Sequence, residues 1–410
     1  MNAVSFNFIS ILIAFLFIIF ASVEVQSQGS STNASDSAGI FIDYETVVAG
    51  KDYKIGGISE IILGEHWRQL WIKPFSVGVL DLSKYAGGLK AYKPGGGLQT
   101  KSLHFRGNDG KRYKFRSLDK DPRTVLIPEL RNSIVADAFK DQISSSHPYS
   151  SVIASRLLDE IGVLNSKPVV TVLPDDPSLG EFRSKFRNML GTIEETPTGE
   201  KDGRPGFSGA DKIVDTYELY ELLEKDNDNQ VDAKEYLKAR LFDVLVGDWD
   251  RHYDQWLWAG YRKDGKTVYK PVPRDRDQAF SLYDGILPMV AGRAITQIEG
   301  YSANYPPMYD LTFSGRYIDR KILPKLDYSA YDSLAKFIQS RLTDEVNDEA
   351  VRHMPVEWYS AGLTPLKKLI IARRDKLATI TSEYYELINE VADVYGTNKN
   401  EEVRIDCRGD

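Results

Sequence analysis

The chain has 410 residues, of which 42% are hydrophobic, 27% charged and 11% aromatic, and its formal net charge is −7. This is the composition of a globular protein, so it excludes intrinsic disorder, collagen-like repeats and a disulfide-rich scaffold. A mildly acidic chain also has no bulk attraction for nucleic acid or for an anionic membrane surface. The single cysteine, Cys407, permits no internal disulfide and no thiolate zinc site.

Residues 1–27 are predicted to be a secretory signal peptide. Residues 9–21 (ISILIAFLFIIFA) form an apolar run that is too short and too close to the N-terminus for a typical spanning helix. Val25 and Ser27 follow with the spacing that signal peptidase accepts. The usual basic residues before the run are missing, so an uncleaved anchor is the alternative. The small polar residues of 28–39 predict a flexible tether.

The hydrophobicity and the cysteine content of the rest of the chain indicate the compartment of the protein. It has no other run near the roughly 20 apolar residues of a spanning helix, so we expect an exported mature chain without a transmembrane segment. An exported protein with one cysteine suits a bacterial periplasm better than a disulfide-rich eukaryotic extracellular setting.

Residues 40–195 are predicted to form a β-rich part, with short strands and turns in the lead-in 40–93. In residues 95–120, alternating apolar residues on either side of the turn at 108–110 are typical of a β-hairpin. We expect two helices and then a buried strand with its partner at residues 130–143, 151–161, 168–173 and 186–194.

Residues 196–390 are predicted to be mainly helical. Residues 233–246 have the apolar spacing of an amphipathic helix, and a second hairpin follows, turned at Asp264 and Gly265. From Asp327 onward the pattern is mostly helical, including 363–390. Residues 391–410 form a polar tail, with the alternative that it begins a linker to a further domain.

The acidic stretch 226–232 (DNDNQVD) invites comparison with a calcium-binding EF-hand loop. That loop needs glycine at its sixth position and glutamate at its twelfth, where this chain has Val231 and Leu237. We therefore predict an N-terminal capping turn for the helix that follows.

Two neighbouring segments, GDWDRHYDQ (247–255) and PRDRDQAF (273–280), carry six residues suited to acid–base or metal chemistry: Asp248, Asp250, His252, Asp254, Asp275 and Asp277. Because desolvating an unpaired charge is costly, carboxylates beside apolar strands indicate cation binding, acid–base chemistry or pairing with arginine. From the residues alone, a buried network with Arg251, Arg274 and Arg276 that locks the loop is as good an interpretation as catalysis.

The order of helix, acidic loop, hairpin and second acidic segment resembles the C-lobe of protein kinases, and in particular the atypical group with CotH-type and HipA-like kinases. The resemblance implies a two-lobed α+β fold, with a β-rich N-lobe and a mainly helical C-lobe. In kinases the loop aspartate accepts the hydroxyl proton, and a later aspartate binds magnesium. It thus implies catalytic roles for Asp250 (the base), Arg251 and His252, and Mg²⁺ or Mn²⁺ binding by Gln255, Asp275 and Asp277.

The same resemblance implies an ATP site under the first hairpin. The glycine turn would cover the phosphates, because glycine lets the backbone approach closely. Lysines and arginines of the hairpin, Lys114 among them, are the available cations, and Glu194, Glu195 or Asp141 would orient one of them. The implied nucleotide-binding residues are Gly95, Gly96, Gly97, Lys101, Arg116, Lys120 and Glu194. In the plainer interpretation the glycines only turn the chain, and Lys101 and Lys120 are solvated.

A closer resemblance covers roughly residues 50–395. The segments GGGLQTKSL, RSLDKDP, DQISSSHPY, LPDDPSLGE, GDWDRHYDQW and PRDRDQAF are similar to a domain of bacterial outer-membrane proteins. In those proteins the domain lies between a calcineurin-like phosphoesterase domain and a β-barrel. The phosphoesterase motifs are missing here, so we expect a standalone version or a fragment. The resemblance implies a Gram-negative periplasmic or outer-membrane location and an outer-membrane protein partner.

These observations and resemblances lead us to expect one of two functions. The first is an exported, Mg²⁺-dependent phosphotransferase that uses ATP or another phosphoryl donor. The second is a catalytically inactive kinase-like module that binds a partner or supports an outer-membrane assembly, which the ATP-poor periplasm favours. A third, metal-dependent phosphohydrolysis, lacks its histidine ligands. A nucleotide is an expected ligand, and nucleic acid is not.

Overall fold

A computed structural model describes residues 39–96, 99–293, 295–391 and 394–400, together with Glu402 and Arg404. The predicted signal peptide, all but the last residue of the tether, Gly97 and Cys407 lie outside the described residues. Within them, no helix is at once long enough and apolar enough to cross a bilayer.

The N-lobe is built on a seven-stranded sheet with the strand order β1-β2-β6-β7-β5-β4-β3. All neighbours pair antiparallel except β2 and β6, which are parallel. Its strands are β1 (Phe41–Val47), β2 (Phe75–Leu80), β3 (Leu89–Gly95), β4 (Ser102–Gly107), β5 (Arg112–Ser117), β6 (Val169–Val172) and β7 (Leu190–Glu195).

The alternation of side chains along β5 determines which of them lie on the face of the sheet that is turned away from the N-lobe core. Successive side chains of a strand point to opposite faces. Tyr113 and Phe115 are buried in the N-lobe core, so Lys114 and Arg116 project from the other face. The helices of this lobe are α1 (Ile58–Leu63), α2 (Arg68–Ile72), α3 (Ile134–Asp141), α4 (Ser150–Glu160) and α5 (Arg183–Phe186).

The C-lobe combines a small four-stranded sheet, ordered β8-β10-β11-β9, with a helical bundle. The strands are β8 (Lys212–Asp215), β9 (Asn229–Val231), β10 (Trp256–Lys263) and β11 (Lys266–Pro273). The helices are α6 (Thr216–Lys225), α7 (Ala233–Val246), α8 (Ile286–Gly292), α9 (Met308–Thr312), α10 (Arg316–Ile322), α11 (Tyr328–Arg341), α12 (Asp344–Val351) and α13 (Thr364–Asn389).

Helix α7 is the centre of the C-lobe. The side chain of Asp232 caps it by accepting from the amide of Glu235 at 3.1 Å, which confirms the predicted capping turn. The helix ends at Gly247 in the left-handed conformation. Every residue of α7 except Lys234 and Glu235 is buried, so the helix is enclosed on all sides rather than amphipathic.

The predicted α+β class and the two-lobed architecture are confirmed. Both hairpins are present, and β6 and β7 pair antiparallel as the sequence predicts. The lead-in differs from the prediction, because it contains the short helices α1 and α2 as well as strands. Helix α2 is held there by Arg68, whose guanidinium donates to both carboxylate oxygens of the distant Asp141 at 2.6 and 2.5 Å.

Candidate active site

A cleft between the lobes collects charged side chains from three places. The outward face of the N-lobe sheet contributes Lys114, Arg116 and Glu194, and the segment after β5 contributes Lys120. The loop after β11 contributes residues 274–277 from the C-lobe. Segments far apart in sequence therefore face one another across a single opening.

Arg116 and Asp275 form an ion pair across this cleft. The guanidinium of Arg116 donates to the carboxylate of Asp275 at 2.6 Å, and both side chains are about four-fifths buried, with 19% and 23% exposed. Burial alone would raise the pKa of Asp275, but the charges of Arg116 and Lys120 hold that pKa well below its usual range. Asp275 is therefore ionised at any ordinary pH. Its backbone is left-handed (φ 49°), which few non-glycine residues adopt.

A second ion pair joins the lobes beside the first. The ammonium of Lys120 contacts the carboxylate of Asp277, and both side chains line the cleft. Burial lowers the pKa of Lys120, while the charges of Asp275 and Asp250 act in the opposite direction. Lys120 thus lies within electrostatic reach of acidic groups from both C-lobe segments.

Lys114 and Glu194 occupy directly opposed positions on β5 and β7. Burial, together with the charges of Arg116 and Arg274, lowers the pKa of Lys114 to about 7. Burial raises the pKa of Glu194, against the effect of Arg116 and Lys114. The sequence analysis named Lys114 among the available cations but not in the implied nucleotide-binding set, although its spacing of two from Arg116 signals a shared face.

Asp250 lies in the loop that follows α7. Its side chain is only 14% exposed, and its Oδ1 atom has no hydrogen-bond partner among the described residues. Nε2 of His252 is 3.6 Å away. Burial raises the pKa of Asp250, with the charge of Asp275 adding to the effect and those of His252 and Arg251 opposing it. An uncommitted carboxylate oxygen with a raised pKa has the properties required of a general base.

Arg251, predicted as catalytic, lies behind the loop with a fully buried side chain. Its guanidinium donates to the carbonyl oxygens of Arg274 and Gln255, both at 2.9 Å, and to Asp248 at 3.3 Å. It therefore ties the loop of Asp250 to the segment that carries Asp275, and it is placed to position these residues rather than to touch a substrate.

A buried Asp–Arg network does exist, and it involves Asp248 rather than Asp250. Asp248 accepts from Arg251 and from Arg276 at 3.2 Å, and Arg276 also pairs with Asp243. Burial raises the pKa of Asp248 to about 7. The sequence left a buried arginine network open as the interpretation of Asp250 and Asp275. In the structure Asp248 belongs to that network and Asp250 stays outside it, while Asp275 pairs with Arg116.

The remaining residues of the predicted metal and catalytic set are turned toward one another. The side-chain amide of Gln255 is buried 3.4 Å from Nε2 of His252, and Nδ1 of His252 accepts from the amide of Asp254. Of the predicted metal and catalytic residues, Asp275 and Asp277 line the cleft, whereas Asp250, His252 and Gln255 do not. Among the described residues, no group of three or more His, Cys, Asp or Glu is arranged to hold a metal ion.

The predicted phosphate cover is the turn between β3 and β4. Gly95 ends β3 opposite Ser102, and Gly96 has a φ of 109°, where an added Cβ would overlap the carbonyl oxygen of Thr100. Gln99 of this turn lines the cleft. Lys101, by contrast, is exposed, with its amide bound to the hydroxyl of Ser117 at 3.2 Å.

Comparison with known proteins finds no matching family model and no matching curated protein. Among the solved structures that the chain resembles are three kinases. The proinflammatory kinase CtkA of Helicobacter pylori is 13% identical, with 74% of this chain and 95% of that chain covered and a TM-score of 0.37. The Golgi casein kinase is 12% identical, with 83% of each chain covered and a TM-score of 0.33.

The amicoumacin kinase hAmiN, solved with AMP-PNP, Ca²⁺ and Ami, is also 12% identical. The match covers 72% of this chain and 92% of that chain, with a TM-score of 0.19. These superpositions are loose, so function has to be argued from the cleft itself.

Proposed function

We propose that the protein is a kinase-like phosphotransferase of the atypical CotH- and HipA-like group, which binds ATP with Mg²⁺ or Mn²⁺ in the cleft. The observation that carries this proposal is the meeting of Arg116 and Lys120 from the N-lobe with Asp275 and Asp277 from the C-lobe. Cations that can bind phosphates and carboxylates that can bind a divalent metal are the two charge sets that phosphoryl transfer needs.

The charged residues of the cleft and of the adjoining loop divide into three roles. Asp275 and Asp277 would hold the metal ion, and Arg116, Lys120 and Lys114 would bind the phosphates. A bound divalent ion would supply positive charge next to the transferring phosphoryl group. Asp250, with an oxygen free of hydrogen bonds in the described structure, would receive the proton of the acceptor hydroxyl.

The two ion pairs across the cleft are compatible with this assignment. Each pair consists of one phosphate-binding candidate and one metal-binding candidate. When a metal–nucleotide complex separates these ion pairs, the metal ion binds the carboxylates and the phosphates bind the basic groups. Both partners of each pair are then again next to an opposite charge. Metal or nucleotide alone would leave one partner of each pair unmatched, which is costly in a largely buried cleft. Binding should therefore require both.

A second candidate function is a catalytically inactive kinase-like module that binds a partner at the outer membrane. It is favoured by the position of Gln255, whose amide lies against His252, so that this predicted metal ligand is absent from the described cleft lining. Export to a Gram-negative periplasm belongs to both versions of the proposal. It is supported by the composition of residues 1–27 and by the resemblance to a domain of outer-membrane proteins.

Thermal unfolding with and without nucleotide separates the two candidates. ATP with Mg²⁺ at 100 times its dissociation constant should stabilise the protein by about 2.7 kcal/mol, whereas ATP with EDTA or Mg²⁺ alone should have little effect. Asp275→Ala and Asp277→Ala should lose most of the stabilisation. Asp264→Ala, on the exposed turn of the second hairpin, is the matched control. If Mg²⁺ and ATP do not change the unfolding temperature of the wild type, the phosphotransferase proposal fails and the inactive kinase-like module is the remaining candidate.

The location is tested by expressing the full chain in a Gram-negative host and separating periplasm, membranes and cytoplasm. The proposal expects the protein in the periplasmic or outer-membrane fraction, with an N-terminus near residue 28 if the signal peptide is cleaved. Retention in the cytoplasm with an intact N-terminus would contradict export.

A further inference from the structure

The 3₁₀ turn Phe313–Gly315, directly before α10, is hydrogen-bonded to the loop that carries Asp250. The hydroxyl of Ser314 contacts the carbonyl oxygen of Trp249 and accepts from the amide of Arg251 at 2.9 Å, so it binds the backbone on both sides of Asp250. Gly315 packs equally closely, because a Cβ added there would lie 3.3 Å from the carbonyl oxygen of Arg251. Whatever α10 presents to solvent is thus held at a fixed place beside the candidate base.

What α10 presents there is a guanidinium clamped between two aromatic rings. The central carbon of the Arg316 guanidinium lies 3.6 Å from the ring centroid of Phe313 and 4.2 Å from that of Tyr317. Nη1 donates to the carbonyl oxygen of Phe313 at 2.6 Å, and Nη2 donates to the hydroxyl of Tyr317 at 3.0 Å. These contacts fix the plane of the guanidinium and leave some of its five N–H groups for a ligand.

The guanidinium also lacks a negative partner. Within the described part of the chain, no carboxylate lies within 4.0 Å of Arg316 or of Arg320, which follows one turn later on α10. Other surface arginines are paired, as Arg352 is with Asp348 at 2.5 Å. Two unpaired guanidinium groups on one helix, in a chain of net charge −7, form a local positive site on an acidic protein.

We propose that Arg316 and Arg320 bind an anionic group, a carboxylate or a phosphate, on the peptide that accepts the phosphoryl group. A planar guanidinium held in place by stacking binds these anions with two parallel hydrogen bonds and loses little side-chain entropy. The exposed ring of Tyr317 (56%) adds contact area for the peptide next to the anion. This inference rests on the proposed function, because it treats the neighbourhood of Asp250 as the place where the acceptor hydroxyl docks.

The test measures the binding of labelled peptides to the full-length protein without nucleotide. Fluorescence anisotropy at low salt compares three ten-residue peptides around one serine, in which the other residues include glutamate, phosphoserine or, as the neutral probe, glutamine. The glutamate or the phosphoserine peptide should bind at least tenfold more tightly than the glutamine peptide. The tighter of the two identifies the preferred anion.

Variants connect the binding to the two arginines. Arg316→Gln and Arg320→Gln should each weaken binding of the acidic peptide about tenfold or more, and Arg316→Lys should recover little, since an ammonium cannot present the stacked planar fork. Arg352→Gln, which removes a surface arginine elsewhere, should bind like the wild type. Equal binding of all three peptides, or unchanged binding by Arg316→Gln, would overturn the proposal.

The same preparations distinguish this inference from the proposed function. Stabilisation by Mg²⁺ and ATP should persist in Arg316→Gln, which also shows that the variant is folded. If ATP stabilises the wild type while no acidic peptide binds, the acceptor site is wrong and the phosphotransferase proposal stands. If acidic peptides bind through Arg316 but ATP has no effect, the surface binds an acidic partner and the enzymatic proposal fails.

Discussion

Arg116 of the N-lobe and Asp275 of the C-lobe are 159 positions apart in sequence, and their side chains meet at 2.6 Å. The contact joins a sheet strand to the acidic loop after the second hairpin, so it holds the two lobes together at the mouth of the cleft. Because both side chains are largely buried, removing either one leaves a charge that the surroundings no longer match.

A double-mutant cycle should detect this lobe-to-lobe pair. Arg116→Gln and Asp275→Asn should each lower the free energy of unfolding, and the double variant should lose less than the sum, with a coupling energy of about 1–3 kcal/mol. Urea unfolding of the four proteins measures it. The long-range but exposed pair of Arg341 and Glu160 is the control, with a coupling expected below about 1 kcal/mol. Additive effects at Arg116 and Asp275 would show that the pair does not link the lobes energetically.

Replacing Asp250 should separate chemistry from binding. Asp250→Asn keeps the size of the side chain but removes the basic oxygen, so we expect phosphoryl transfer to fall by about 10²–10⁴-fold. Stabilisation by Mg²⁺ and ATP should remain, because Asp250 is not one of the residues assigned to the metal or the phosphates. Transfer of labelled γ-phosphate and thermal unfolding measure the two properties.

Asp264→Asn provides the control for that experiment, since it makes the same chemical change on an exposed turn. Its transfer rate should equal that of the wild type. A rate for Asp250→Asn within a factor of a few of the wild-type rate would remove Asp250 from the role of base, even if the cleft binds nucleotide as proposed.

The local elements were predictable because their signals are local. The apolar alternation of the first hairpin and its Asn-Asp-Gly turn lie within 16 residues, from Ser102 to Ser117. Helix α7 has the predicted bounds because Asp232 caps its start and Gly247 ends it, and both residues are recognisable in the sequence. The order of loop, hairpin and second acidic segment in the sequence likewise predicted that Asp250 and Asp275 belong to the same site.

The direction of individual side chains was not predictable, because tertiary contacts decide it. Arg251 is adjacent to Asp250 in sequence, yet it points into the protein to bind the carbonyl oxygens of Arg274 and Gln255. The amide of Gln255 lies against His252 rather than in the cleft. Helix α2 depends on the pairing of Arg68 with Asp141, 73 positions away, which no local pattern in the sequence indicates.

The low pKa of Lys114 should make stability depend on pH. Its pKa is about 7 in the folded protein and about 10.4 in an unfolded chain, so between these values the unfolded state binds more protons. The contribution of Lys114 to the free energy of unfolding therefore rises as the pH increases from about 7 to about 10. It is lost again as the pH falls from about 10 to about 7. Urea unfolding across this range should show a steeper rise for the wild type than for Lys114→Met.

The difference between the two proteins isolates Lys114 from the other groups that titrate in this range. Lys90→Met, which changes an exposed lysine on β3, two strands away from β5 in the same sheet, should follow the wild-type profile. Parallel profiles for the wild type and Lys114→Met would show that Lys114 stays charged in the folded protein.

The turn that faces the cleft should depend on the absence of a side chain at Gly96. Gly96 has a φ of 109°, and an added methyl group would overlap the backbone of Thr100, so Gly96→Ala combines a strained conformation with a clash. Gly203 also has a positive φ, 72°, but an added Cβ meets nothing within 4 Å, so Gly203→Ala reports the conformational strain alone. We expect a loss of about 1 kcal/mol for Gly203→Ala and roughly 2–3 kcal/mol for Gly96→Ala in urea unfolding. If the turn also covers the phosphates, only Gly96→Ala weakens the stabilisation by Mg²⁺ and ATP, whereas equal nucleotide responses in the two variants would assign the turn to stability alone.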